Sequence, residues 1–371
     1  MNKKDFNTNF YIYLTLLGIT ITLGVFFVYS SLFAVSFLKN INPLNRLYLH
    51  IFSLAIGTGG AILMFTQTAS LIKSKFFMWL MYFGLIFLLV FVLIQRPIAG
   101  IHRWIILGPV LLQPSELAKF VIPLFIAFFY ENYKEKKDPF FQLLIPLILC
   151  GLPIILIFLG PDLSSTVIIS VVSFASIALS LRNKHQFVLL IFLVILSLFI
   201  AFLYKDSLLN NYQKERLVNI DNYQTTQSLK AIRSGGALGT APFAGTLKYN
   251  VPESYSDFII AVIGEEWGKI GIFMVLTLFF FNSYELVKMA YITGDLKTFV
   301  FCSATALWIF IQVSINALVG LGVSFVPVTG VTLPLMSYGN SSLIITLFSI
   351  GTALGLIKSN VNFSENNKDE L

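Results

Sequence analysis

Charge is what this sequence has least of. Only 12% of its 371 residues are Asp, Glu, Lys or Arg, where soluble domains carry roughly 25%. That scarcity excludes an ordinary water-exposed domain. Cysteine is nearly absent as well. Cys150 and Cys302 are the only two, both inside apolar runs, so they read as buried, inert thiols rather than a disulfide framework or a thiolate metal centre. Three histidines, His50, His102 and His185, are scattered without metal-ligand spacing. No nucleotide-phosphate motif, internal repeat or low-complexity tract is present. A cleavable leader is not expected, because no small-residue cleavage pattern follows the first apolar run and further apolar runs succeed it. The net charge of +7 is too small and too dispersed for nucleic-acid binding and reads as a membrane-orientation signal.

What the sequence has in excess is apolar length: 57% of residues are hydrophobic and 15% aromatic. Runs long enough for a bilayer core of about 30 Å fall near 10–33, 47–68, 76–95, 116–130, 141–159, 163–181, 186–204, 258–284, 298–323 and 341–358. Each is expected to be a helix, which satisfies its own backbone in lipid. The expected fold is an all-α integral membrane protein of about ten transmembrane helices, forming a single polytopic domain over 1–371. A large extracytoplasmic loop, 205–257, joins helices 7 and 8, and a short polar, unstructured tail, 359–371, ends in the cytosol. Placing both termini inside puts Lys3, Lys4, Lys73, Lys75, Lys134, Lys136, Lys137, Arg182, Lys184, Lys288, Lys297, Lys358 and Lys368 in the cytosol. Only Lys39, Arg46, Arg96 and Arg103 fall in short outer loops, the asymmetry that orients membrane proteins. The terminal KDEL then faces a compartment where its receptor cannot read it, and is taken as chance.

Three polar segments share the outer side. The first, GIHRWIILGPVLLQPSELAK at 100–119, crowds too many polar residues between apolar runs for a plain connector. Pro114 and Ser115 suit the opening turn of the next helix. Glu116 and Lys119, at i and i+3, share a helix face; a structural ion pair and a direct substrate role both fit. Arg103 and Trp104 fit either an interfacial anchor or a site. The second segment is the long loop, with SGGALGTAPFAG and KYNVPESYSD. Asp257 directly precedes the apolar run FIIAVI, where a carboxylate suits a helix cap and equally a partly desolvated general base. From spacing alone the cap is the plainer reading. Glu265 and Glu266 lie four and three residues before Lys269, and pairing with it inside the bundle is expected. The third segment, PVTGVTLPLMSYGNSSL at 327–343, reads as a bent, partly re-entrant loop needing protein or a wet cavity over it. Its Ser337, Tyr338, Asn340, Ser341 and Ser342 suit a polar headgroup or the cap of the last helix.

These segments, with GPDLSST and QSLKAIRSGGALG, resemble in sequence and in order the signatures of the SEDS family, the shape, elongation, division and sporulation proteins typified by RodA and FtsW. The likeness runs from about residue 95 to the last span. It implies a ten-helix peptidoglycan glycosyltransferase of the bacterial inner membrane, polymerising lipid II alongside a class B penicillin-binding transpeptidase and other divisome or elongasome proteins. It implies Asp257 as the essential acid and so turns the reading of that residue from cap to catalysis. The QPSE…K motif falls on Gln113, Pro114, Ser115, Glu116 and Lys119, the RW pair on Arg103 and Trp104, PE on Pro252 and Glu253, and the serine motif on Ser337 to Ser342. Three positions depart from the pattern: Asn340 stands for a second Gly, Arg233 for the Gly of AIGSGG, and Gly160 for an acidic or amide residue. KYNVPE leans to the division and sporulation branch.

The implied reaction joins two lipid-anchored sugars. Asp257 takes the proton of the acceptor 4-hydroxyl as it attacks the donor's anomeric carbon, and Arg103, Lys119, Arg233 and Lys248 are candidates to stabilise charge on the leaving pyrophosphate. No cofactor is evident, although a divalent cation, Mg or Mn, would do the same work without a dedicated cage. The rival readings are a flippase for the lipid-linked sugar, which needs a polar path through the bilayer, and a non-catalytic scaffold for a transpeptidase.

Overall fold

The computed structural model describes residues 3–39, 42–96, 102–108, 110–133, 138–181, 183–204, 223–323 and 330–369. Residues 205–222 of the long loop, Pro327 to Thr329 of the third segment, and the orientation residues Lys134, Lys136, Lys137 and Arg182 lie outside them. In chain order the elements are α1 (Lys3–Lys39), α2 (Pro43–Lys73), α3 (Lys75–Ile94), β1 (Ile105–Leu107), β2 (Val110–Leu112), α4 (Pro114–Tyr133), α5 (Pro139–Leu159), α6 (Leu163–Ser180), α7 (Lys184–Leu203), α8 (Tyr223–Gly235), a 3₁₀ turn (Leu247–Asn250), α9 (Ile259–Glu266), α10 (Gly268–Thr293), α11 (Leu296–Gly320) and α12 (Asn340–Asp369).

Eight helices are long and apolar enough to cross a membrane. Two more complete the ten expected from run lengths. These are α7, apolar over Lys184–Ile200, and α4, whose every 18-residue window holds Glu116, Lys119 and Glu131. Helix α4 is the hub: from Ala118 to Tyr130 every residue is buried, packed against α3, α6 and α11. At the other extreme, α7 touches only α5 and α6 among the stronger helix contacts and leaves Phe192 and Leu198 to lipid, 59% and 65% exposed. The α2–α12 pair makes the most extensive contact among the described helices. A Cβ at Gly60 would lie 1.7 Å from the Phe348 ring and one at Gly351 2.3 Å from the Ala61 carbonyl oxygen, so small residues set the helix separation, as in membrane interfaces generally. Both cysteines are buried and free, as expected.

Three local features differ from the sequence expectation. An antiparallel hairpin, with Ile105 opposite Leu112, stands where only a loop was expected; the pairing satisfies part of this segment's backbone. The tail is helical through Asp369 rather than unstructured. The third difference is a break in the run 258–284 at Trp267. Gly268 there takes φ +68°, and a Cβ would stand 2.3 Å from the Ala237 carbonyl oxygen.

A broken helix exposes carbonyls before the break and N–H groups after it. The loop after α8 satisfies both: Thr240 and Ala241 donate their N–H to the Glu265 and Glu266 carbonyls at 2.9 and 3.2 Å, while Lys269 and Ile270 donate theirs to Gly236 and Ala237 at 3.1 and 3.2 Å. Gly268→Ala therefore carries both a left-handed backbone penalty of about 1 kcal/mol and a backbone clash. Thermal unfolding is expected to show a loss larger than that penalty alone.

Candidate active site

The described parts of the three polar segments meet at one end of the bundle. The hairpin is tied to the start of α12: Gln113 N–H donates to Ser341 Oγ at 3.2 Å, and the Ser341 hydroxyl donates to the Leu111 carbonyl. It is tied to the α5–α6 junction through Arg103, whose guanidinium donates to the carbonyls of Gly160 and Pro161 and lies 3.9 Å from the Asp162 carboxylate. Asp162 is the centre of this wall. Its Oδ2 accepts from Gln113 Nε2 and Ser115 Oγ, both at 2.9 Å, and its Oδ1 caps α6 through Ser165 N–H. Arg103, Gln113 and Ser115 thus brace the hairpin, and Trp104 beside them is half-buried. The GPDLSST motif contains Asp162 and its cap partner Ser165, but Arg103, Gln113 and Ser115 lie 47 to 59 positions away in sequence, beyond any local signal.

Asp162 shows how these neighbours work. Burial alone pushes its carboxyl up, but the Arg103 charge and hydrogen bonds from Ser165 and Ser115 outweigh it and hold the group below the ordinary carboxylate range. The folded state therefore favours the ionised form. That stability is present above the unfolded pKa of about 3.9 and is lost as pH falls through the depressed folded value. Asp162→Asn is expected to cost about 1.5–3 kcal/mol at neutral pH. It should also flatten the acid-side fall in melting temperature expected of the wild-type protein below about pH 4. A thermal melt series from pH 7 to pH 3 checks both.

Glu116 and Lys119 form the ion pair their spacing suggests, at 2.6 Å and nearly buried. Lys119 also donates to Gln312 Oε1 at 2.8 Å, and Gln312 Nε2 donates onward to the Thr332 carbonyl at 2.9 Å and to Ser342 Oγ at 3.4 Å. The pair therefore joins α4, α11, the segment after Gly330 and α12, rather than presenting a free cation. Ser337 closes the turn before α12, its Oγ accepting from Leu333 N–H at 3.0 Å. Tyr338 packs edge-on to Tyr255 at 5.7 Å and accepts no cap; its N–H donates to the Tyr255 carbonyl at 2.8 Å.

The second segment is anchored by buried charge. Glu265 accepts the N–H groups of Leu247 and Lys248 on its two carboxylate oxygens, at 2.7 and 2.6 Å. The Lys248 ammonium, 1% exposed, pairs with Glu266 and with Ser30 of α1. The expected partner, Lys269, is exposed on the far side of the break. The broken helix rotates Glu265 and Glu266 away from Lys269, which spacing on a continuous helix could not foresee. Lys248 is accordingly embedded in the scaffold and does not face an open mouth. Arg233 is exposed at the end of α8. Glu253 takes φ +55°, its carbonyl accepting from Ser256 and Phe258 N–H at 3.0 and 3.2 Å. Burial first, then the Glu253 carboxylate, push the Tyr255 hydroxyl up to about 12 despite Arg46, whose guanidinium lies 4.6 Å over the Tyr255 ring.

Asp257 ends this segment, half-buried. The N-cap position of α9 is Phe258, with no side-chain cap bond, so the capping role does not fall there. The carboxylate lies against Gly330, where a Cβ would stand 3.1 Å from Oδ2. The Asp257 carbonyl accepts from Asn316 Nδ2 at 2.8 Å. Among the buried polar atoms without a partner in the described residues, several belong to the elements that meet at this end: Arg46 Nη1, His50 Nδ1, His102 Nδ1, Glu116 Oε2, Ser254 Oγ, Asn316 Oδ1 and Asn340 Oδ1. Each costs free energy unless a ligand or water completes it. Asn340, one of the departures noted above, contributes one of them. Sequence reading missed Arg46 as more than a loop charge, and missed Gln312 and Asn316. Two amides four residues apart inside an apolar span were the available signal.

A multi-pass membrane protein that brings carboxylates, amides and cations together at one end, with a half-buried aspartate among them, is a polytopic membrane enzyme. The family model for FtsW, RodA and SpoVE, described as a cell cycle protein, matches residues 10–361. The chain belongs to that family. It is 31% identical over 356 residues to a probable peptidoglycan glycosyltransferase FtsW of Coxiella burnetii, covering 90% of this chain and 92% of that one. A second such protein, from Buchnera aphidicola, is 33% identical over 282 residues, 71% of each chain. Among solved structures, a chain of a peptidoglycan synthase complex matches with TM-score 0.74 and 28% identity over 94% of this chain and 98% of that one. An Asp-to-Ala mutant of Thermus thermophilus RodA matches with TM-score 0.68 and 26% identity, over 94% and 97%.

Proposed function

We propose that this chain polymerises lipid II into glycan strands at the outer face of the bacterial inner membrane, with Asp257 as general base. The reaction class, peptidoglycan glycosyl transfer, follows from the family. The acceptor sugar's 4-hydroxyl oxygen bonds to the donor's anomeric carbon as the bond from that carbon to the pyrophosphate oxygen breaks. The hydroxyl proton goes to the Asp257 carboxylate and the lipid pyrophosphate leaves with the electron pair. A placed base contributes typically 10²–10⁴-fold. The supporting observation is the carboxylate's place: directly before α9 and against a residue with no side chain.

Of the four cations considered for the leaving group, Lys119 and Lys248 are consumed by Glu116 and Glu266, and Arg103 by the α5–α6 junction. Arg233, with its exposed side chain, and Arg46, with an unpartnered Nη1, take that role. Among the described residues no group of three His, Cys, Asp or Glu side chains forms a metal site. A divalent cation, Mg or Mn, would supply further charge stabilisation to the leaving pyrophosphate, and no step here depends on it. The outer position, cytoplasmic termini, single polytopic domain with its 205–257 loop outside, and pairing with a class B penicillin-binding transpeptidase belong to the same reading.

The test uses purified protein in sealed vesicles with labelled lipid II and the transpeptidase partner. Polymer that disappears in Asp257→Ala while partner binding persists supports the enzyme over the scaffold. Normal polymer from that variant removes the base. Translocation of label without polymer establishes the flippase reading instead.

A further inference from the structure

On α11, Gln312 and Asn316 stand about one turn apart, each 1% exposed. Buried amides in an apolar span are costly unless their donors are used. Both spend them on the same piece of backbone. Gln312 Nε2 donates to the Thr332 carbonyl at 2.9 Å and Asn316 Nδ2 to the Val331 carbonyl at 2.7 Å. The remaining Asn316 N–H donates to the Asp257 carbonyl at 2.8 Å. Two carbonyl acceptors occupy both hydrogens of one planar amide, which fixes its orientation.

The consequence lies in what the two carbonyls belong to. One is the peptide of the base itself. The other is next to Gly330, the residue against which the base's carboxylate rests. A single amide thus bridges the two backbone segments between which the carboxylate sits. Neither segment belongs to a regular helix or strand. The α9 N-cap makes no side-chain bond, the turn leading to it passes through Glu253 at φ +55°, and 330–333 is neither helix nor strand. Helix α11, buried along most of its length, is the rigid element that supplies the spacing.

We propose that Asn316 is a positioning residue for the glycosyl transfer, its amide setting the gap between the Asp257 peptide and the 330–332 backbone. This rests on the reading of Asp257 as the base. Displacing a catalytic group by about 1 Å costs on the order of 10²-fold, so loss of the bridge acts on the chemical step and not on substrate capture. Gln312 holds the same backbone one turn away, through the Thr332 carbonyl, and its effect on the gap is indirect.

The experiment compares wild type, Asn316→Leu, Asp257→Asn and the double variant, as full-length protein with its partner, in lipid II polymerisation per folded molecule. Leu keeps the bulk of Asn and removes both donors. Asn316→Leu is expected to lower kcat about 10- to 100-fold with KM within about twofold, and the double variant to be no slower than Asp257→Asn. A wild-type kcat for Asn316→Leu, with Asp257→Asn inactive, overturns the positioning role and leaves the base standing. A double variant slower than Asp257→Asn by the full single-mutant factor overturns it too, because the amide then acts independently of the base. A normal rate from Asp257→Asn removes both readings. Should Asn316→Leu fail to fold, Asn316→Ala with the same four-way comparison decides the matter.

Discussion

Asp257→Asn is expected to lower the polymerisation rate by about 10²–10⁴-fold while the protein folds and binds its partner normally. Asn keeps the shape of Asp, so the contact with Gly330, where a Cβ would lie 3.1 Å from Oδ2, is preserved and only the basic oxygen is lost. The Asp257 peptide carbonyl, held by Asn316, is untouched. Asp257→Glu is the sharper test. It keeps the carboxylate but adds a methylene in a place bounded by Gly330, so a basic group is present and displaced. An activity well below wild type in both variants, with unchanged melting temperature and partner capture, is what a placed base requires. Wild-type activity in Asp257→Glu would show that position does not matter there, and with it that no proton is being taken at a defined atom. Saturating and limiting substrate separate the steps: the fall belongs in kcat, since the base contributes in the transition state.

Much of this molecule was readable before any coordinates. Ten apolar runs became ten long helices because in lipid a helix has no competitor. The Glu116–Lys119 pair followed from i, i+3 spacing, which survives in any regular helix. Legibility ended wherever the helix was not regular. The run FIIAVIGEEWGKIG is apolar and periodic across Trp267, yet Gly268 breaks it. The break holds because a loop some thirty residues earlier supplies the missing hydrogen bonds. Non-local satisfaction of backbone groups leaves no trace in periodicity. Lys248 was misplaced for the same reason. A lysine in an outer loop reads as available, and only the fold reveals that Ser30 and Glu266 enclose it. Asp257 is the opposite case. Its neighbours in sequence suggested a cap, the family likeness suggested a base, and the N-cap of α9 proves to be Phe258.

Lys248→Met is expected to be the most destabilising single change at this end of the protein. The ammonium and the Glu266 carboxylate are 1% and 0% exposed, and Glu266 Oε2 already lacks a partner. Removing the cation leaves a buried carboxylate with only the Ser30 hydroxyl, a loss of about 3–5 kcal/mol. Lys248→Met with Glu266→Gln removes both charges and is expected to recover much of that loss, since a buried pair contributes less than either orphaned half costs. Thermal unfolding of the two single variants and the double in detergent gives the coupling. The same set bears on function. A lysine that touched pyrophosphate would leave the double variant stable and slow. A lysine that only fastens α1 to the segment carrying Asp257 leaves it stable and active, with kcat per folded molecule within a few-fold of wild type. The burial of the ammonium between α1 and α9 predicts the second outcome.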